Sequence, residues 1–257
     1  AHSYNLATVN LGMALGPERV AAQLQRFGAD LTPPYYPSLL LGAVALSPLE
    51  VTQVYQSIAA GGYKTPLRAI REVLAADGER LQRYPLEVEQ VFDPAPTYLL
   101  TRNLVEVLRE GTGRAARRYL DAADRARLGE DGLAGKTGTT DGLRDSWFAG
   151  FSGDLVGVVW VGRDDNRPAG QTGSRGALPV WARVMGAVAE LPLTATPPPG
   201  VVYREVDCDS GRQLPFIAAH LPSSLPDCTL DLFGEDAGAV PVGPGQTPWQ
   251  RMLEWLR

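Results

Sequence analysis

Between residues 133 and 163 three strand-like segments follow one another almost without a break: LAGKTGT (133–139), SWFAGFSG (146–153) and LVGVVWVGR (155–163). Gly153-Asp154 supplies a hairpin turn between the last two, so the set reads as an antiparallel meander. The third segment is apolar almost throughout, which predicts burial on both faces. Gly150 and Gly157 leave room for a helix to approach the sheet closely. LPVWARVMGAVAEL (178–191) is the best candidate for that helix. The expected class is therefore α+β, an antiparallel sheet flanked by helices.

The chain has 257 residues, 44% of them hydrophobic, which suffices for a sizeable core. Its net charge of −5 is modest and without runs of like charge, so no nucleic-acid partner or polybasic membrane contact is expected. The longest apolar run near the front, Leu39 to Leu46, is far below the roughly 20 residues of a membrane helix. AHSYNLATVN at the start has neither the basic opening nor the apolar block of a signal peptide.

Several helix boundaries can be read directly. PERVAAQLQRFG (17–28) places Val20, Leu24 and Phe27 at helical spacing and stops at Gly28. TPPYYPS is expected to be loop. Ser47, Pro48 and Glu50 form a capping box ahead of a face made by Val51, Val54, Tyr55 and Ile58. Asp77-Gly78 suggests a small hairpin, and a helix should start near Asp93-Pro94 and run to Gly111. Trp147, Trp160 and Trp181 are expected in the core.

TATPPPG (194–200) reads as a stiff linker, dividing the chain into a main portion (1–193), a small cysteine-bearing extension (201–233) and a tail (234–257). The tail ends in TPWQRMLEWLR, read as a short capped helix. Cys208 and Cys228, in a stretch weak in helix or strand pattern, are the only cysteines. They read as a local disulfide, which for a loop of this length is worth about 3 kcal/mol. Two buried free thiols or half a metal site are the alternatives, and neither histidine is spaced for a metal. A disulfide favours an oxidising compartment.

Lys136 is one of only two lysines and sits in Gly-Lys-Thr-Gly-Thr. Gly-Lys-Thr ends a phosphate-loop pattern, but that pattern needs a glycine where this chain has Glu130, and a carboxylate there would repel phosphate. A second reading is a strand edge that receives a peptide. Gly138 would let a substrate backbone lie alongside, Lys136 would place an ammonium at the centre, and Thr137 and Thr139 would offer hydroxyls to a terminal carboxylate. The bland alternative is a strand that merely ends there.

The start of the chain breaks the tie. Ser3 and Asn5 form a Ser-x-Asn pattern, and with Lys-Thr-Gly it makes two of the three motifs of penicillin-recognising serine acyltransferases. SYNLATVNLGMALG, LLLGAVALSPLEVTQVYQSIAAGG, EGTGR, LAGKTGTTDGLRDSWFAGFSGDLVGVVWVGRDDN and PVWARVM resemble, in order, blocks of the transpeptidase domain of bifunctional class A penicillin-binding proteins. The resemblance covers roughly residues 1 to 190. His2, next to Ser3, has no identifiable acidic partner for a hydrolase triad.

This resemblance implies a penicillin-binding and serine beta-lactamase-like fold, incomplete at the N-terminal side. It also implies a peptidoglycan D,D-transpeptidase acting on D-Ala-D-Ala stem peptides, with an amine acceptor, inhibited by beta-lactams. No cofactor or metal is implied. Ser3 would relay a proton to the leaving nitrogen, Asn5 would hold the donor amide, and Lys136 would shape the electrostatics. Thr137, Gly138 and Thr139 would bind the carboxylate, and the Thr139 N–H would give half of the oxyanion hole. The family's Ser-x-x-Lys motif is absent, because Gly61 and Leu133 lie three residues before the two lysines. The nucleophile is thus expected on an upstream segment of the same protein, which the resemblance places with a glycosyltransferase domain on the periplasmic side of a bacterial inner membrane. A serine beta-lactamase, a D,D-carboxypeptidase and a non-catalytic peptidoglycan-binding module are the alternatives.

Overall fold

A computed structural model describes residues 1–226. Along them run α1 (Asn5–Leu15), α2 (Pro17–Phe27), a 3-10 turn at Pro37–Leu41, α3 (Pro48–Ala59), the short strands β1 (Tyr63–Lys64), β2 (Glu72–Leu74), β3 (Arg80–Arg83) and β4 (Glu89–Gln90), and α4 (Pro94–Arg109). They continue through α5 (Ala122–Leu128), β5 (Ala134–Thr139), β6 (Ser146–Phe151), β7 (Val156–Val161), α6 (Ala177–Val188), β8 (Val201–Asp207) and β9 (Arg212–Ile217). Cys228 and the expected C-terminal helix lie outside the described residues.

The centre is the three-stranded antiparallel meander β5-β6-β7. Its register aligns Gly135 with Gly150 and Gly150 with Gly157, a row of glycines across all three strands. That row lets α6 lie close. A Cβ on Gly150 would come within 2.7 Å of Trp181 Cζ2, and one on Gly157 within 3.0 Å of Trp181 Nε1. The indole instead donates to Gly157 O at 3.0 Å and packs on Phe148, ring centres 4.5 Å apart. Leu178, Ala182, Met185 and Leu128 complete this core, all essentially without solvent contact.

On the opposite face, α2, α3 and α4 build a second core from Ala21, Val54, Ile58 and Val105 against Ala134 and Phe151. The α3 start has the expected reciprocal cap: Ser47 N–H donates to Glu50 Oε2 at 2.7 Å and Glu50 N–H to Ser47 Oγ at 3.3 Å. Asp93 caps α4 through Ala95 N–H at 2.9 Å. Gly28, in the left-handed conformation, ends α2. The hairpin around Asp77-Gly78 forms as β2 and β3.

Four expectations change. β7 has helices on both faces, yet none of its residues is fully buried, because it is an edge strand among the described residues. For the same reason Trp160 is 36% exposed, and Trp147, only half-buried, tilts against it across the two strands; neither is core. The TPPYYPS loop gives way at Pro37 to the 3-10 turn. Residues 201–217, weak in pattern, form the β8-β9 hairpin. Tyr203 OH meets Tyr98 OH of α4 at 2.6 Å, so the hairpin is docked on the main portion. Cys208 lies in its turn and is disulfide-bonded.

The N-terminal end is less enclosed. The helix α1 is mostly apolar with no distinct polar face, yet only Gly12 is buried, under Leu40, while Leu6 is 75% exposed and Met13 49%.

Candidate active site

The outer edge of β5 has no strand partner among the described residues, so its alternate backbone groups are open to an added strand. Lys136 lies along it, part-buried. Its Nζ donates to Thr137 O at 2.8 Å, with Thr137 Oγ1 at 3.5 Å. Burial pushes the ammonium pKa below the ordinary lysine value. The other lysine, Lys64, pairs with Glu89 at 3.2 Å; among the described residues Lys136 pairs with no carboxylate. The cation is therefore partly desolvated and, among the described residues, has no counter-charge.

Two hydroxyls stand beside it on the other face of the strand. Thr137 Oγ1 is 2.7 Å from Thr112 Oγ1, in the loop after α4. Thr139 Oγ1 accepts from Gly173 N–H at 2.9 Å, which leaves the Thr139 proton free to donate elsewhere. Gly173 is held in turn through buried Ser146, whose Oγ donates to Thr172 O at 2.8 Å and accepts from Ala177 N–H at 2.9 Å. One serine thus fixes both the start of α6 and the loop against β5. A Cβ on Gly138 would sit tightly at 3.0 Å from Trp147 Cβ, and a Cβ on Gly173 would lie 2.5 Å from Gly138 O, so glycine suits both positions. The turn out of the strand is closed by Asp145, which accepts from Thr140 Oγ1 and from Trp160 Nε1, each at 2.9 Å.

The Ser-x-Asn element reaches this strand through one loop. Thr112 N–H donates to Ala1 O at 3.2 Å, and Thr112 in turn touches Thr137. Ser3 sits at φ 56°, in the left-handed region where a non-glycine residue is uncommon. Asn5 opens α1. Both side chains are exposed, and neither makes a hydrogen bond to Lys136 or Thr137 among the described residues. The His2 ring lies 5.8 Å from that of Tyr4, centre to centre, and His2 forms no ion pair with a carboxylate among the described residues.

Thr112, Gly173 and Asp145 are thus site-building residues that motif reading passes over. EGTGR is recognisable as a block, but nothing in its spelling assigns Thr112 a partner. A polar groove of about 770 Å³ at the far end of α6, lined by Tyr119, Asp124, Arg127, Arg183 and Glu190 among others, shares no residue with β5.

Known proteins resemble the chain along the same path. The family described as the penicillin binding protein transpeptidase domain matches residues 1–185. Penicillin-binding protein 1B of Escherichia coli K12 is 39% identical over 256 residues, covering 96% of this chain and 29% of that protein. Penicillin-binding protein 1B of Vibrio cholerae is 38% identical over 229 residues, 84% of this chain and 28% of its own length. The crystal structure of penicillin-binding protein 1A from Haemophilus influenzae superposes with a TM-score of 0.74 at 23% identity, over 84% of this chain and 39% of that one, which shows the shared fold. The chain spans under three-tenths of the length of these two curated relatives. A family match that runs from residue 1 through the meander to α6 reaches far beyond a shared tetrapeptide, and the chain belongs to the transpeptidase family of penicillin-binding proteins.

Proposed function

We propose that this chain forms one wall of a serine D,D-transpeptidase site that cross-links peptidoglycan, in a protein that also carries a glycosyltransferase domain and acts on the periplasmic side of a bacterial inner membrane. The observation that supports it best is the uncompensated Lys136 ammonium on an open strand edge, flanked by Thr137 and Thr139. A D-Ala-D-Ala stem peptide offers a backbone to pair with such an edge and a terminal carboxylate to meet the cation and the hydroxyls. A penicillin offers the same carboxylate beside a strained amide.

The nucleophile comes from outside this sequence, which contains no Ser-x-x-Lys. Its oxygen gives its proton to the lysine of the same motif and attacks the penultimate D-Ala carbonyl, the carbonyl oxygen takes up the negative charge, and the Thr139 N–H stabilises it. Collapse of that intermediate breaks the C–N bond, and the proton passes from that lysine through Ser3 to the departing D-Ala nitrogen. The acceptor amine of a second stem peptide then attacks the acyl-enzyme carbonyl, its proton returns to the serine oxygen as the ester C–O bond breaks, and the serine is regenerated. Asn5 holds the donor amide throughout, and Lys136 lowers the cost of moving the proton past Ser3. The exposed apolar side chains of α1 support the same division: the upstream segment that brings the serine also covers Leu6 and Met13.

The test uses the protein extended at its N-terminus by its own Ser-x-x-Lys segment, incubated with a penicillin and analysed by intact mass. One long-lived covalent adduct per molecule is expected, lost on replacing the added serine by alanine. Rapid turnover of the penicillin instead would mean a beta-lactamase, and no adduct at all would leave a binding module.

A further inference from the structure

Thr112 occupies a position that none of the three family motifs includes. Its loop is rigid: Gly111 N–H donates to Glu106 O at 3.0 Å and Gly113 N–H to Val107 O at 2.9 Å, so the last turn of α4 holds both flanking residues. Gly111 lets the start of the chain come close, since a Cβ there would lie 2.3 Å from Ala1 O. From this fixed backbone Thr112 extends its N–H to Ala1 O and its hydroxyl to Thr137 Oγ1.

A threonine hydroxyl donates one hydrogen bond and accepts two. Thr137 Oγ1 has the Lys136 ammonium at 3.5 Å, which can only donate, and the Thr112 hydroxyl at 2.7 Å. If Thr137 donated to Thr112, its only proton would be used inside the protein and Thr137 would face an incoming carboxylate with lone pairs alone. If Thr112 donates, Thr137 is satisfied as an acceptor and its own O–H turns outward. The second arrangement also satisfies Thr112, whose hydroxyl has Thr137 as its only hydrogen-bond partner among the described residues.

We propose that Thr112 is a positioning residue for substrate recognition: it donates to Thr137 Oγ1 and so aims the Thr137 O–H at the carboxylate of the incoming stem peptide or penicillin, while its backbone ties the Ser3–Asn5 segment to the same strand. This rests on the reading of Thr137 as a carboxylate ligand. The loop therefore sets selectivity for a free carboxylate.

The test compares penicillin G with its methyl ester in the extended protein, measuring the second-order acylation rate of each by intact mass. Thr112→Val removes the donor and keeps the shape. It is expected to lower the acid-to-ester rate ratio roughly tenfold, the worth of one hydrogen bond to a charged group, and Thr112→Ser is expected to restore it. Thr137→Val should lower the ratio similarly, and the double variant should add little, because the two hydroxyls act as one unit. Should Thr112→Val fold poorly, Thr112→Ala with the serine rescue makes the same comparison. Acid and ester rates that fall together, or a ratio that stays put, overturn the proposal. A wild-type protein that forms no adduct with either compound overturns the transpeptidase reading, and this proposal with it.

Discussion

The two ends of the β5-β6-β7 sheet are built on opposite terms. Where α6 packs on the sheet the contacts are closed: Phe148, Trp181, Leu178 and Ala182 have lost nearly all contact with water, the indole N–H has its acceptor, and glycines are placed where larger residues would collide. At the β5 edge a lysine is part-buried with no counter-charge among the described residues, the Thr139 hydroxyl keeps a proton to spare, and α1 stands largely uncovered. The first end holds the fold together. Under the proposed function a ligand and another polypeptide segment complete the second, a pattern expected of residues selected for function rather than stability.

Truncation at the packed end should have the largest effect. Trp181→Ala removes the ring that fills the space over the glycine row and is expected to cost roughly 3–5 kcal/mol, measured as a shift of the urea midpoint at constant slope. A loss under about 1 kcal/mol would mean that this end is no better packed than the edge, and the contrast would collapse.

At the open end, Lys136→Met should act in opposite directions on function and on stability. Acylation by penicillin in the extended protein should fall by roughly a hundredfold or more, as for loss of a group that assists proton transfer. Stability at pH 7 should rise, because the substitution removes a charge that is desolvated and unpaired. The sign follows from linkage. A lysine whose folded pKa lies below its unfolded value of 10.5 binds fewer protons in the folded state between those two values. The destabilisation is therefore fully present below the folded pKa and disappears as the pH rises towards 10.5, so the advantage of the methionine variant should narrow over that range. Denaturant curves at neutral and alkaline pH check this; a variant less stable at neutral pH would mean that Lys136 is a structural cation after all.

The glycine row offers a graded comparison within one end. A Cβ at Gly150 meets backbone, Ala134 O at 2.4 Å, as well as the Trp181 ring, whereas at Gly157 it meets only side-chain atoms, at 3.0 and 3.3 Å. Backbone yields less readily than side chain. Gly150→Ala is expected to cost about 1–3 kcal/mol and Gly157→Ala less. Equal losses from thermal or urea unfolding would show that the β5 backbone gives way as readily as the α6 side chains.

How far the sequence reveals each end follows from the range of the contacts. The Ser47–Glu50 cap spans three residues and is spelled out locally; both of its hydrogen bonds form. Gly150 and Gly157 announced a close helix because a glycine inside a strand needs a reason. The β7 run cannot reveal that it lies at an edge, since an apolar segment looks the same beside one neighbour or two, and Trp160 misleads for the same cause. In the site, Lys136 to Thr139 are contiguous and legible. The contacts that orient their side chains reach across 25 residues to Thr112 and 34 to Gly173, and no local spacing encodes them.

The β8-β9 hairpin is the least legible element and gives the smallest expected effect. Pro215 within β9 argues against a strand, and proline is tolerated there because the hairpin has only two strands, both edges. Its anchor is a pair of phenols at 2.6 Å, with burial and the neighbouring Tyr203 together raising the Tyr98 pKa to about 12. Arg212 adds a loose ion pair with Glu110 at 3.9 Å, one residue before the loop that holds Thr112. Tyr203→Phe should cost about 1 kcal/mol or less, the worth of one neutral hydrogen bond near the surface. If the hairpin only adds stability, penicillin acylation of the folded variant stays at the wild-type rate. If its contact with the end of α4 helps to seat the Thr112 loop, the acid-to-ester ratio falls together with stability, and the hairpin then belongs to the open end rather than the packed one.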